Sequence, residues 1–226
     1  MFVHVPSRRK AAPTWATPIL VAISMGVFVW LAMLGPARAP LLERWGTVPE
    51  TLFSAASAMR ALLDGRALTL FSAIFIHADW LHLIGNLLFL VIFGLPAERA
   101  LGPLRFLLVF LACGAAANLA AALSLQSTES VIVGASGAVS GIIGAYLALF
   151  PRARLGLVPP LGLFLEFVRT PASLLIGIWA LLQLLFTWVG PAFGAVAWWA
   201  HLSGFMLGVL FAMLARPTVA RRLRGH

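Results

Sequence analysis

Ser136 sits in the run VGASGAVSGIIGA, Val133 to Ala145, with Gly134 before it and Gly137, Gly141 and Gly144 after it. A backbone turn can end at Gly134, and a neighbouring helix can approach the later glycines closely. The run therefore reads as the start of a membrane-embedded helix with a serine in its first turn. A serine there feels the positive end of the helix macrodipole, and the free backbone N–H groups beside it can receive a developing oxyanion. Nucleophilic attack on a carbonyl is the chemistry this placement suits. The plainer reading is a small-xxx-small packing helix whose serine bonds its own backbone.

His201 offers a matching base. It stands in AHLSGFMLG, with Gly204, Gly208, Ala212 and Ala215 following at helical spacing. That strip of small residues lets its helix press against the strip formed by Gly137, Gly141, Gly144 and Ala148. Both residues open their helices at the same end, so pressing the helices together would bring His201 to Ser136 as a general base. Otherwise His201 is an interface residue at a helix end. His82 and Asn86 are four apart, on one helix face, and two uncharged donors aimed at one point suit an oxyanion hole. As metal ligands they are a poor set, because no carboxylate shares the face; the alternative is a polar pair bridging two helices. His77 falls on a different face and fits a loop-ordering role, and Asn118 fits a hydrogen bond to a neighbouring helix.

Acids are missing from the apolar segments. Asp79 is interfacial, Glu98 and Glu166 lie near the opposite side, and Asp64, Glu43, Glu50 and Glu129 fall in loops. The expectation is a Ser136–His201 dyad without a third member. Asp79 is the one acid that could orient the imidazole, while Ser140 shares the face of Ser136 as a neighbouring hydroxyl or as plain small-residue packing.

The elements that must position these groups are helices in a membrane. The 226 residues are 62% hydrophobic and 10% charged, with mean hydropathy +1.00, whereas soluble domains carry about 25% charged residues. Cys113 is the one cysteine, which excludes disulfides within the chain and cysteine metal clusters. Apolar stretches predict spans at Pro18–Leu34, Trp80–Ala97, Phe106–Leu125, Ser136–Phe150, Pro171–Trp188 and Trp198–Ala215. The expected fold is an all-α, polytopic bundle of six transmembrane helices over residues 18–215, with residues 1–17 as a short N-terminal segment and 216–226 as a basic tail. A signal peptide is the rival for the first span, but its apolar run exceeds the usual length. In the first loop, Leu52, Phe53, Ala56, Met59 and Leu63 predict a short amphipathic helix. Leu155–Arg169, broken by Pro159 and Pro160, predicts a re-entrant or surface-lying connector. The bulky Trp179, Leu182, Leu185, Phe186 and Trp188 make the fifth helix the candidate lateral gate.

Of the sixteen basic residues, twelve fall on the side of the termini, and Arg38, Arg44, Arg60 and Arg66 lie in the first loop. By the positive-inside rule both termini are cytoplasmic and Ser136 lies toward the outer face. The basic residues are scattered among loops with almost no aromatic interleaving, which points to anionic lipid headgroups as partners and not to nucleic acid. The Arg-, Ala- and Leu-rich composition suggests a GC-rich bacterial genome and hence a bacterial inner membrane.

GASG around Ser136, HADWLHLIGN from His77 to Asn86, FGLPAERALG from Phe93 to Gly102 and AHLSGFMLG around His201 together resemble the rhomboid family of intramembrane serine proteases. The likeness runs from about Leu70 to Leu214, with four motifs in order. It implies a six-helix bundle with Ser136 as nucleophile, His201 as base, and His82, Asn86 and the Ser136 backbone N–H binding the oxyanion. It further implies cleavage of single-span membrane proteins near the outer face, at small residues, with no cofactor or ATP. Two departures stand out: the stretch before His77, ALTLFSAIFIH, lacks the Trp–Arg pair many members carry in the first loop, and Ser140 replaces an aromatic ring that packs on the catalytic imidazole in some members. Two rival functions remain. A catalytically inactive rhomboid-like protein would bind transmembrane segments without cutting them; a small-solute transporter would be expected to show internal repeats and intramembrane charges.

Overall fold

The computed structural model describes residues 13–53, 64–125, 130–157, 160–161, 164–165, 168–189 and 198–224. The helices in chain order are α1 (Ala16–Met33), α2 (Ala39–Trp45), α3 (Pro49–Phe53), α4 (Thr69–Ser72), α5 (Trp80–Leu101), α6 (Pro103–Ser124), α7 (Ser136–Leu149), α8 (Ala172–Val189) and α9 (Trp198–Arg224). Among the described residues, α1, α5, α6 and the Trp198–Pro217 part of α9 are long and apolar enough to cross a membrane. The 14-residue α7 is apolar but shorter, and it is buried along nearly its whole length. α8 is apolar throughout, apart from Ser173, Gln183 and Thr187. The architecture is an α-helical membrane bundle wrapped around α7.

Local chemistry sets the helix ends. Asp79 caps α5, its carboxylate accepting the His82 backbone N–H at 2.8 Å, which satisfies one orphan donor of the first turn. Gly102 ends α5 with φ +83, a conformation that favours glycine, and Pro103 opens α6 at the position where its missing N–H costs nothing.

The seam between α7 and α9 is the closest in the molecule. A Cβ on Gly204 would fall inside the Gly137 carbonyl, one on Gly208 inside the Gly141 carbonyl, and one on Gly144 inside the Phe205 carbonyl. The two helices run parallel with backbones in contact, so their first turns are held side by side.

Several features differ from the sequence expectations. The second helix does not end near Ala97; it runs through Pro96 to Leu101 and carries Glu98 inside it. Glu98 is fully buried, and its two carboxylate oxygens accept the Ala16 N–H at 2.7 Å and the Thr17 N–H at 2.9 Å. An acid thus lies within the bundle after all, because the first turn of α1 presents unpaired donors and positive dipole charge to it. The last helix likewise continues through Pro217 to Arg224, so most of the expected tail is helical.

The connector after α7 is an antiparallel ribbon: β1 (Arg154–Leu157) pairs with β4 (Val168–Pro171), and β2 (Pro160–Leu161) with β3 (Phe164–Leu165). A ribbon with open edges cannot lie in hydrocarbon, which favours the surface-lying form of the connector over the re-entrant one. Of the amphipathic segment expected in the first loop, residues 54–63 lie outside the described residues, as do 126–129 and the crossover at 190–197.

The first loop has its own anchors in place of the missing Trp–Arg pair. Thr47 and Ile132 exchange backbone hydrogen bonds of 3.0 and 2.8 Å, and the Thr47 hydroxyl donates to the Thr69 carbonyl at 3.0 Å. The Ser72 hydroxyl donates to the Trp45 carbonyl at 2.6 Å, and the Asn118 amide donates to the Leu70 carbonyl at 2.8 Å.

Candidate active site

Ser136 is the first residue of α7, and the chain enters it through Gly134 at φ +124 and Ala135 at φ −76. The first helical bond near it runs from the Val139 N–H to the Ala135 carbonyl at 2.8 Å. The N–H groups of Ser136, Gly137 and Ala138 therefore stand outside the helical ladder. Across the glycine seam, His201 Nε2 lies 2.9 Å from Ser136 Oγ. The hydroxyl and the imidazole, 65 positions apart in sequence, are within hydrogen-bonding distance.

On its other side the imidazole has a partner absent from the sequence expectations. His201 Nδ1 is 2.7 Å from Gln183 Oε1 on α8, and the Gln183 side chain is buried. The acid and the hydroxyl that could have oriented the imidazole are occupied elsewhere: Asp79 caps α5, and Ser140 Oγ donates to the Ser136 carbonyl at 2.6 Å. Ser140 therefore bonds its own helix. The signal for Gln183 in the sequence is a lone amide in the middle of the apolar ASLLIGIWALLQLLFTWV, which the expectations above left without a role.

A cavity of about 470 Å³ opens above the pair, bordered by Ser136, His201, His82, Gly134, Trp198 and Asn118. The Trp198 ring stands edge-on to His201 with centroids 5.9 Å apart. His82 projects from α5 against Gly134: a Cβ there would lie 2.6 Å from the His82 ring. Asn86, one turn on, is 7% exposed and its Nδ2 donates to the His82 carbonyl at 2.8 Å. One of the two Asn86 amide protons is thus committed to its own helix.

His77 lies under the turn that precedes α7. Its Nε2 accepts the Ala135 N–H at 3.4 Å, and its ring meets the His82 ring edge to face with centroids 5.1 Å apart. Burial, followed by the neighbouring His82, pushes its pKa down to about 4, outweighing the Phe75 carbonyl and Asp79. A neutral imidazole is needed for Nε2 to accept. This contact orders the turn, as its sequence position suggested. Among the described residues, no group of three or more His, Cys, Asp or Glu could hold a metal ion, and Cys113 is buried beneath α7 against Gly141.

Residues 64–218 match the rhomboid domain. The chain belongs to the rhomboid family, and its apolar helices make it an integral membrane protein. It is 27% identical over 233 aligned positions to RHOMBOID-like protein 6, mitochondrial, of Arabidopsis thaliana, covering 90% of this chain and 70% of that protein. It is 35% identical over 147 positions to Rhomboid-like protein 11, chloroplastic, of the same plant, covering 63% of this chain and 50% of that protein. A Bacillus subtilis (strain 168) protein provisionally named as the rhomboid protease YdcA is 30% identical over 125 positions, 55% of this chain and 58% of its own length. The chain thus spans between half and seven-tenths of the length of these relatives.

Proposed function

We propose that this protein is an intramembrane serine endopeptidase that cleaves transmembrane segments of other membrane proteins with a Ser136–His201 dyad. The observation that carries this reading is the 2.9 Å approach of His201 Nε2 to Ser136 Oγ at the floor of a cavity, beside three helix-start N–H groups. Ser136 Oγ attacks the carbonyl carbon of a locally unwound peptide bond while its proton passes to His201 Nε2. The carbonyl oxygen becomes an oxyanion, received by the Ser136 N–H and the His82 ring, which border the cavity, and by Asn86 in the role the family resemblance implies. His201 then returns its proton to the departing amine nitrogen, and an acyl-serine remains. A water molecule, deprotonated by the same imidazole, attacks the ester carbon and releases the carboxylate product and free serine. No step calls on a cofactor.

Single-span membrane proteins are the substrate class, because the cavity lies among apolar helices that would hold it at the level of a neighbouring transmembrane segment. The arginine distribution supports cytoplasmic termini with anionic headgroups beside them, and the proposed setting is a bacterial inner membrane. Co-expression with a panel of single-span proteins tests the activity: fragments should form with the wild-type chain and vanish with Ser136→Ala. A fluorophosphonate should label the wild type and leave Ser136→Ala unlabelled. Labelling that persists in the variant, or cleavage indifferent to it, sinks the proposal.

A further inference from the structure

We infer that Gln183 is the positioning residue of His201, the third member of a Ser136–His201–Gln183 relay in which a neutral amide stands where soluble serine hydrolases use a carboxylate; the inference rests on the protease reading above. An amide oxygen only accepts hydrogen bonds, so the 2.7 Å contact from Gln183 Oε1 places the proton on His201 Nδ1. The lone pair of the neutral ring then lies on Nε2, the nitrogen 2.9 Å from Ser136 Oγ. The contact therefore selects the tautomer that can take the serine proton, and it clamps the ring between two helices, α7 through Ser136 and α8 through Gln183.

The environment makes this assignment economical. Gln183 is buried in an otherwise apolar stretch of α8, where an amide without a purpose is costly. Among the described residues, the groups facing His201 are Ser136 from α7, Gln183 from α8, His82 from α5 across the cavity, and Trp198 from its own helix, none of them a carboxylate. Asp79 is turned to the start of α5. Gln183 thus orients the ring without supplying the negative charge that would stabilise an imidazolium. The serine is activated by the placement and tautomer of the ring rather than by a paired charge.

Full-length protein in detergent, inactivated by a fluorophosphonate, separates the chemical rate constant from the affinity for the reagent. Gln183→Leu, close in volume and without an acceptor, should lower the chemical rate constant about 10- to 100-fold, the range a hydrogen bond to a developing charge spans. The reagent's affinity should change less than about twofold, since Gln183 does not line the cavity. Gln183→Glu keeps the acceptor and adds charge, so it should recover most of the rate and shift the acid limb of the pH profile upward, because the imidazolium is then stabilised. A Gln183→Leu protein that reacts at the wild-type rate, or a Gln183→Glu protein no faster than Gln183→Leu, overturns the inference while leaving the dyad intact. A wild type whose label does not depend on Ser136 overturns the protease reading and this inference together.

Discussion

Gly134 shows how much of the site depends on a single backbone position. Its φ of +124 is closed to most side chains, and a Cβ there would meet the His82 ring at 2.6 Å. Gly134→Ala should therefore strain the turn by about 1–3 kcal/mol and displace the imidazole that faces the cavity. Fluorophosphonate labelling should slow by up to about 10²- to 10³-fold, the cost of losing one oxyanion donor; labelling at the wild-type rate would show that the turn tolerates the change. His77, beneath the same turn, gives a pH dependence. Its folded pKa of about 4 lies below the unfolded value of 6.5, so the unfolded chain takes up the proton first. The stability contributed by its neutral ring is full above about pH 6.5 and is lost as pH falls toward 4. Melting temperatures between pH 7 and pH 4.5 should fall less steeply for His77→Gln than for the wild type; parallel slopes would refute the assignment. The proximity of Ser136 and His201 was legible in the sequence because both sit above glycine strips at the same end of their helices. Gln183 was not, since nothing in its own neighbourhood says which ring an isolated amide will meet.

Among the elements, the pairing of α1 with α5 is secured by one carboxylate. Glu98 receives the first two N–H groups of α1 at 2.7 and 2.9 Å while fully buried. Removing it leaves two buried donors unmet, so Glu98→Ala should cost about 2–4 kcal/mol and lower the melting temperature in detergent by roughly 5–15 °C, with Glu98→Gln less severe. An unchanged melting temperature would show that solvent or lipid headgroups satisfy α1 instead. The sequence misled here for a physical reason. Pro96, Glu98 and Arg99 together resemble a polar turn, and the partner that makes Glu98 tolerable lies 82 positions away at a helix end. The spans themselves were legible, because a long apolar run has few alternatives in lipid. The ribbon after α7 was not, because pairing between two apolar segments flanking a double proline leaves no periodic mark.

For the whole molecule, the length of α7 matters most. Fourteen residues reach about 21 Å, against roughly 30 Å of hydrocarbon. The cavity lies at the Ser136 end of α7, so a shortfall taken up at that end would open the serine to water. Ser136→Cys, made with Cys113→Ala as background, should react with a membrane-impermeant thiol reagent applied to the outer face, and remain protected when the reagent is applied to the cytoplasmic face. Reaction from the cytoplasmic face would reverse the orientation assigned from the arginines.

The touching backbones of α7 and α9 carry one more implication. Hydrolysis inside a bilayer, as proposed above, would bring a column of water partway into an insulating layer, and a column that continued downward would leak protons. Below Ser136, the carbonyls of Gly137, Gly141 and Phe205 close directly onto glycines of the opposing helix, with no side-chain gap for a chain of waters to follow. The same bare strip that sets the hydroxyl beside the imidazole therefore leaves no room for water along this seam, and a residue with a side chain at Gly141 or Gly208 would force the two helices apart.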